Sequence, residues 1–191
     1  MKKVIVALCM FAILYGLLYM WHDLKSEVDA IASITNRVTQ VAHQSVEGKP
    51  TLSAALVDKV LAAAGSQAAG TGQALYDLSV KYGIDDAYAL AFFEHESTFG
   101  TGGVARATLS LGNIRCSDGY QCIEGYRAYS SWVEGYADWY RLIRNLYISQ
   151  WHLSTVEQIV PKYAPSSDGN NVAGYIAAVE KAVSTWRAGT L

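Results

Sequence analysis

Glu96 is the residue of this sequence best suited to acid-base chemistry. It lies in Phe92-Phe93-Glu94-His95-Glu96-Ser97-Thr98-Phe99-Gly100, which reads as the end of a helix stopped by glycine. At about 100° per residue, Tyr88, Ala89, Phe92, Phe93 and Phe99 project within about 80° of Glu96, provided the helix persists to Phe99, while Glu94 points the opposite way. An apolar setting disfavours an ionised carboxylate and raises its pKa, as a general acid working near neutral pH requires. Glu96 is the candidate acid and Glu94 a surface residue. The same pattern also fits a glutamate that merely ends a helix at the solvent boundary.

The elements around it follow from spacing and caps. Gln73 to Tyr82 is amphipathic and closed by Gly83, and Asp85 can cap the helix carrying Glu96, so the two helices form a hairpin. Gly100 to Gly125 has no helical period and reads as a loop-rich lobe walling a site. Trp132, Tyr136, Trp139, Tyr140, Ile143 and Leu146 restore three-four spacing on a helix to about Ser149, an aromatic stripe expected in the core. Further helices are expected over Val156 to Val160 and Val172 to Trp186. The fold class is mainly α with a small irregular or β lobe.

Lys2 and Lys3 precede an uncharged run from Val4 to Trp21, long enough to span about 27 Å as a helix. No small-residue cleavage site follows, so residues 1–22 read as a transmembrane anchor rather than a signal peptide, with the N-terminus cytoplasmic and the rest of the chain outside. Residues 23–48 are expected to form a helical stalk through which a second copy could pair; Ile31, Ile34, Val38 and Val41 keep a three-four alternation, and a disordered tether is the other option. Gly48-Lys49-Pro50 breaks the stalk. Thr51 or Ser53 can cap a short helix through Leu61, and Ala64 to Gly72 has linker composition, so residues 49–72 form a short helix and linker before a domain at 73–188.

The net charge of -2 with scattered Lys and Arg gives no basic footprint for nucleic acid. His22, His43, His95 and His152 share no metal-binding spacing, and no metal or cofactor is expected. Cys116 and Cys122 are too far apart for a CxxC redox pair. A disulfide between them would pin the lobe, worth about 2 kcal/mol by loop entropy; two reduced thiols are the alternative.

Several segments resemble one family. Glu96-Ser97-Thr98-Phe99-Gly100 is similar to the Glu-Ser-x-x-Gly motif of bacterial and phage peptidoglycan glucosaminidases (mannosyl-glycoprotein endo-β-N-acetylglucosaminidase-like), a branch of the lysozyme-like superfamily. Gly112-Asn113-Ile114-Arg115 resembles their Asn/Gly-rich segment. Tyr126-Arg127-Ala128-Tyr129-Ser130-Ser131, followed by Tyr136-Ala137-Asp138-Trp139-Tyr140-Arg141-Leu142-Ile143, is similar to a later block, and Tyr163-Ala164-Pro165 with Tyr175-Ile176 to the ending. The match runs over roughly Gly70 to Arg187.

The resemblance implies a lysozyme-like helical domain in which Glu96 protonates a glycosidic oxygen and Tyr163 supports catalysis. Hydrolysis then needs a group to stabilise the oxocarbenium-like transition state and activate water. Asp118 and Glu124 lie in the lobe, where one could face Glu96; Asp118 is preferred because a disulfide would hold it, although each also fits an ordinary surface acid. The substrate's acetamido group or Tyr163 could serve instead. Phe99, Tyr120, Tyr126 and Tyr129 could stack on sugar rings, or pack at the lobe hinge, and Asn113 could bind an acetamido group. The expected activity is membrane-anchored peptidoglycan hydrolysis at β-1,4 bonds of N-acetylglucosamine-containing glycan. The alternatives are a lytic transglycosylase, against which no Gly-Leu-Met-Gln-like segment follows, and a non-catalytic wall-binding tether. A viral lysis protein would use the same chemistry.

Overall fold

The computed structural model describes residues 15–35 and 45–191. Contacts divide the chain into two units, Met1–His43 and Gln44–Leu191. In the first, residues 15–35 form helix α1, with Leu17, Trp21, Leu24, Val28 and Ile31 all exposed. The expectation of a single-pass membrane protein is corrected here: among the described residues no helix is long and apolar enough to cross a membrane. Of the expected span, residues 4–14 lie outside the described residues, and so do residues 36–44 of the expected stalk. The described part of the span continues in one helix into Asp23, Lys25, Glu27 and Asp29.

The second unit begins well before residue 73. Helix α2 (Ala54–Ala63) starts at Ser53, whose side chain accepts from the Leu56 N–H. Its Val57, Val60 and Leu61 enter the same core as the helices that follow. The Ala64–Gly72 segment, a linker by composition, is pinned at both ends. Ser66 Oγ donates to the Phe99 carbonyl at 2.6 Å, and Asp58 accepts from the N–H groups of Gly70 and Gly72.

Helix α3 (Gly72–Tyr82) ends in left-handed Gly83 (φ 61°), and Asp85 caps α4 (Asp86–Ser97) by accepting from the Ala87 N–H. Every residue of α4 from Asp86 to Phe93 is buried. It is therefore a central helix wrapped on all sides, with α8 (Val172–Arg187) as its main partner. After the short α5 (Ala105–Thr108), the lobe holds a hairpin of β1 (Cys122–Ile123) and β2 (Tyr126–Arg127), Cys122 opposite Arg127 and Ile123 opposite Tyr126. Glu124 and Gly125, both at positive φ, make its two-residue turn.

Helix α6 (Trp132–Leu142) runs without a break into a π-helix over Ile143–Gln150. Tyr136, Trp139, Tyr140 and Ile143 are buried as the stripe predicts, Leu146 is partly buried against the same core, and Tyr147 and Ile148 of the π-helix are buried as well. Such winding is uncommon and concentrates at functional sites. Helix α7 (Val156–Tyr163), opened by a Thr155–Gln158 capping box, and a 3₁₀ turn at Ser166–Asp168 lead into α8.

Candidate active site

Glu96 ends up beside a cleft because of how α4 stops. The helix closes at Ser97, and Thr98, Phe99 and Gly100 then follow in succession at positive φ (48°, 56° and 75°). Two left-handed non-glycine residues cost about 1–2 kcal/mol each, so neighbouring contacts must hold them. Ser97 Oγ donates to the Leu111 carbonyl and accepts from the Gly100 N–H, both at 2.8 Å. A Cβ on Gly100 would meet Leu111 at 2.7 Å and Trp132 at 2.9 Å. The reversal swings Phe99 away from Glu96 and into the core, 3% exposed, with its ring 6.2 Å from Trp186. Phe99 is thus a packing residue and not a sugar platform.

Glu96 itself is half-buried at the edge of a cleft of about 510 Å³, and Glu94 is exposed. Burial pushes the Glu96 carboxyl up to about 7, against the lowering effect of a hydrogen bond from Tyr175. That bond runs from the Tyr175 hydroxyl to Glu96 Oε1 at 2.7 Å. His95 stacks on the Tyr175 ring at 3.7 Å, and Phe92 packs on it from the core at 5.5 Å. Tyr175 went unassigned at the sequence level, since 79 residues separate it from its partner.

One wall of the cleft comes from the helical side. Tyr163 stands edge-on to Phe92 at 5.4 Å and donates its hydroxyl to the Gly112 carbonyl. Burial, and then the nearby Glu96 charge, hold its phenol well above the ordinary range, so it acts as a hydrogen-bonding and shaping group. Gly112 is required there, because a Cβ would lie 2.6 Å from Trp139 and 3.1 Å from the Tyr163 hydroxyl. Tyr147, delivered by the π-helix, and Lys162 complete this side, and Asp168 and Asn170 line the cleft from the turn beyond.

The opposite wall is the lobe, contributing Ile114, Arg115, Tyr126 and Arg127. Asn113, at φ 44°, donates its side-chain amide to the Glu96 carbonyl at 2.7 Å. It ties the lobe to the end of α4, while its Oδ1 is buried with no partner among the described residues. Cys116 and Cys122 are joined, their Cα atoms 5.8 Å apart.

Asp138 of α6, which went unassigned at the sequence level, anchors the lobe. Its buried carboxylate accepts from Arg127 (2.8 Å), Arg141 (2.5 Å), Tyr129 (2.6 Å) and Tyr120 (3.1 Å). Burial pushes that carboxyl up, but the hydrogen bonds from Tyr129, Arg141 and Arg127 outweigh it and hold it low. Tyr120 and Tyr129, expected against sugar, are instead engaged at this anchor, and neither lines the cleft. Asp118 and Glu124 are exposed and do not line it either, Glu124 because it occupies the hairpin turn.

Of the residues singled out by sequence, the fold therefore brings Glu96, Asn113, Tyr126 and Tyr163 together. Among the described residues no group of three His, Cys, Asp or Glu side chains could hold a metal ion. Neither a family model nor a curated protein matches the chain, so what the cleft does has to follow from its own geometry.

Proposed function

We propose that this chain is a glycoside hydrolase of lysozyme-like type, cleaving β-1,4 bonds in N-acetylglucosamine-containing glycan such as peptidoglycan, with Glu96 as general acid. The observation that carries the reading is the single half-buried glutamate at the cleft. Its carboxyl holds a proton up to about pH 7, and Tyr175 fixes one of its oxygens 2.7 Å away. A group that keeps its proton near neutrality beside an open cavity suits protonation of a glycosidic oxygen as the bond to the leaving sugar breaks. The cleft volume lies within the usual range for ligand sites. Tyr126 on the lobe and Tyr147 opposite offer aromatic edges and hydroxyls to sugar rings. Arg115 and Lys162 add positive charge, which favours a glycan bearing carboxylates.

The test is mass analysis of soluble fragments released from purified peptidoglycan by the full chain. Fragments with reducing-end N-acetylglucosamine support the reading in full. Reducing-end N-acetylmuramic acid moves the bond cut while keeping the acid chemistry. Anhydro-sugar ends identify a transglycosylase, and binding without release of any fragment identifies a tethering module; either outcome overturns the hydrolase.

A further inference from the structure

We infer that Asp168 is the second carboxylate of the cleft, acting as the general base that activates the attacking water; this rests on the hydrolase reading above. Glu96 and Asp168 are the only acids lining the cleft among the described residues. The two acids of the lobe and the one that anchors it are disposed elsewhere. Asp118 and Glu124 are exposed and off the cleft, and Asp138 is saturated by two arginines and two tyrosines.

Asp168 is placed for the task by both walls. It closes the 3₁₀ turn Ser166–Asp168, where its N–H donates to the Pro165 carbonyl at 3.0 Å. From the lobe side Arg115 pairs with its Oδ2 at 3.4 Å, and both residues line the cleft. Its Oδ1 accepts from Ser167 Oγ at 3.4 Å, and with 44% of its surface exposed the side chain stays reachable by water. A carboxylate at the rim and reachable by solvent suits deprotonation of a water better than direct attack on the sugar, and the arginine serves to orient it. Inverting glycosidases leave room for that water between their two acids.

In the step assigned here, the water oxygen bonds to the anomeric carbon and its proton passes to Asp168. The bond from that carbon to the leaving oxygen breaks, its electron pair stays on the leaving oxygen, and Glu96 supplies the proton that completes the new hydroxyl. One water is consumed per bond. Asp168 then releases its proton to solvent and Glu96 regains one.

The experiment uses the full chain on soluble glycan strands from purified wall, with melting temperatures recorded for each variant. Asp168→Asn is expected to lose about 10²- to 10⁴-fold in rate, the usual worth of a general base, with its melting point unchanged because the side chain lies at the surface. Asp118→Asn and Glu124→Gln should keep wild-type rates. Sodium azide should partly restore bond cleavage by Asp168→Ala, which a merely structural role would not permit. Proton NMR of the wild-type reaction should show the α-anomer of the new reducing end first.

An Asp168→Asn enzyme within twofold of wild type overturns the assignment and leaves the hydrolase standing. A β-anomer formed first does the same, since it indicates retention. If wild type itself leaves the strands intact or yields only anhydro ends, the hydrolase reading falls and the base falls with it.

Discussion

Helix α4 buries carboxyl groups at both ends, in opposite surroundings. At its start Asp85 and Asp86 are 3% and 0% exposed. Asp85 caps the helix, pairs with Arg187 at 2.6 Å and accepts from Thr51; Asp86 Oδ1 accepts from the N–H groups of Thr51 and Leu52, both at 3.0 Å. Their bonds run to the segment that brings α2 into the core and to the end of α8. At the other end the Glu96 carboxyl accepts from Tyr175 and lines the cleft. Burial raises both Asp86 and Glu96, so a perturbed carboxyl does not by itself identify a catalytic one. What separates them is whether the proton has somewhere to go.

The sharpest way to break this comparison is to remove the proton at each end. Glu96→Gln keeps the shape and an acceptor for Tyr175 but cannot act as an acid. Glycan cleavage should fall about 10²- to 10⁴-fold, measured as fragment release from purified wall, while Glu94→Gln keeps its rate. The melting temperature at pH 8 should be equal or higher in Glu96→Gln, because the wild-type carboxylate is then ionised in a partly desolvated place. A variant that is inactive only because it unfolds would erase the distinction between the two ends.

Asp86→Ala should do the reverse, costing about 1–3 kcal/mol for a buried N–H left without its acceptor, with wall cleavage per folded molecule unchanged. Denaturant titration against activity on the same samples separates these outcomes. Asp86→Asn, which retains an acceptor, should cost less and should also change the pH dependence of stability. Burial, and then the neighbouring Asp85, hold the Asp86 carboxyl above its ordinary value in the folded state. The native protein therefore keeps a proton that the unfolded chain releases. Its contribution is full at acid pH and declines as pH rises from about 4, the unfolded value, through the raised folded value. The asparagine variant should lose that decline, and an unchanged slope in urea midpoints from pH 4 to 8 would place the titration elsewhere.

Much of α4 and of the helices around it is legible in the sequence. Asp85 as cap, Gly83 as stop, the Tyr136-Trp139-Tyr140 stripe and the opposite facing of Glu94 and Glu96 all follow from local periodicity and cap chemistry. The sugar-contact assignments fared differently because they depended on what happens beyond the helix. Phe99 was placed by continuing 100° steps past Ser97, where three left-handed residues reverse the chain. For Tyr120 and Tyr129 sugar stacking and packing at the lobe hinge are equally compatible with the sequence, and Asp138, on another element, decides for the hinge by holding their hydroxyls. Tyr147, four residues after Ile143, fits the three-four spacing as well as Leu146 does, but its place at the cleft depends on Glu96 and Tyr163, which belong to other elements. The Ala64–Gly72 segment has linker composition, yet Ser66 and Ala68 are buried, since small residues suit a tight crossing as well as a loose one.

The smallest effect, and the finest probe of the cleft end, concerns Tyr175. Its hydroxyl donates to Glu96 Oε1 and lowers the carboxyl, opposing the larger rise from burial. In wild type, activity should decline as pH rises through about 7, because the fraction of Glu96 still carrying its proton falls. Tyr175→Phe removes the donor while keeping the ring that Phe92 and His95 contact. The carboxylate loses stabilisation relative to the acid, so the alkaline limb of the kcat/KM profile should move to higher pH. Below the limb the rate should fall only modestly, because Glu96 stays protonated there and loses only its orientation. A limb that stays in place while the rate drops would mean that Tyr175 positions the glutamate without tuning it. A limb that moves to lower pH would mean that the tyrosine accepts a bond from the protonated acid, reversing the polarity of the contact and the basis for the proton's availability at neutral pH.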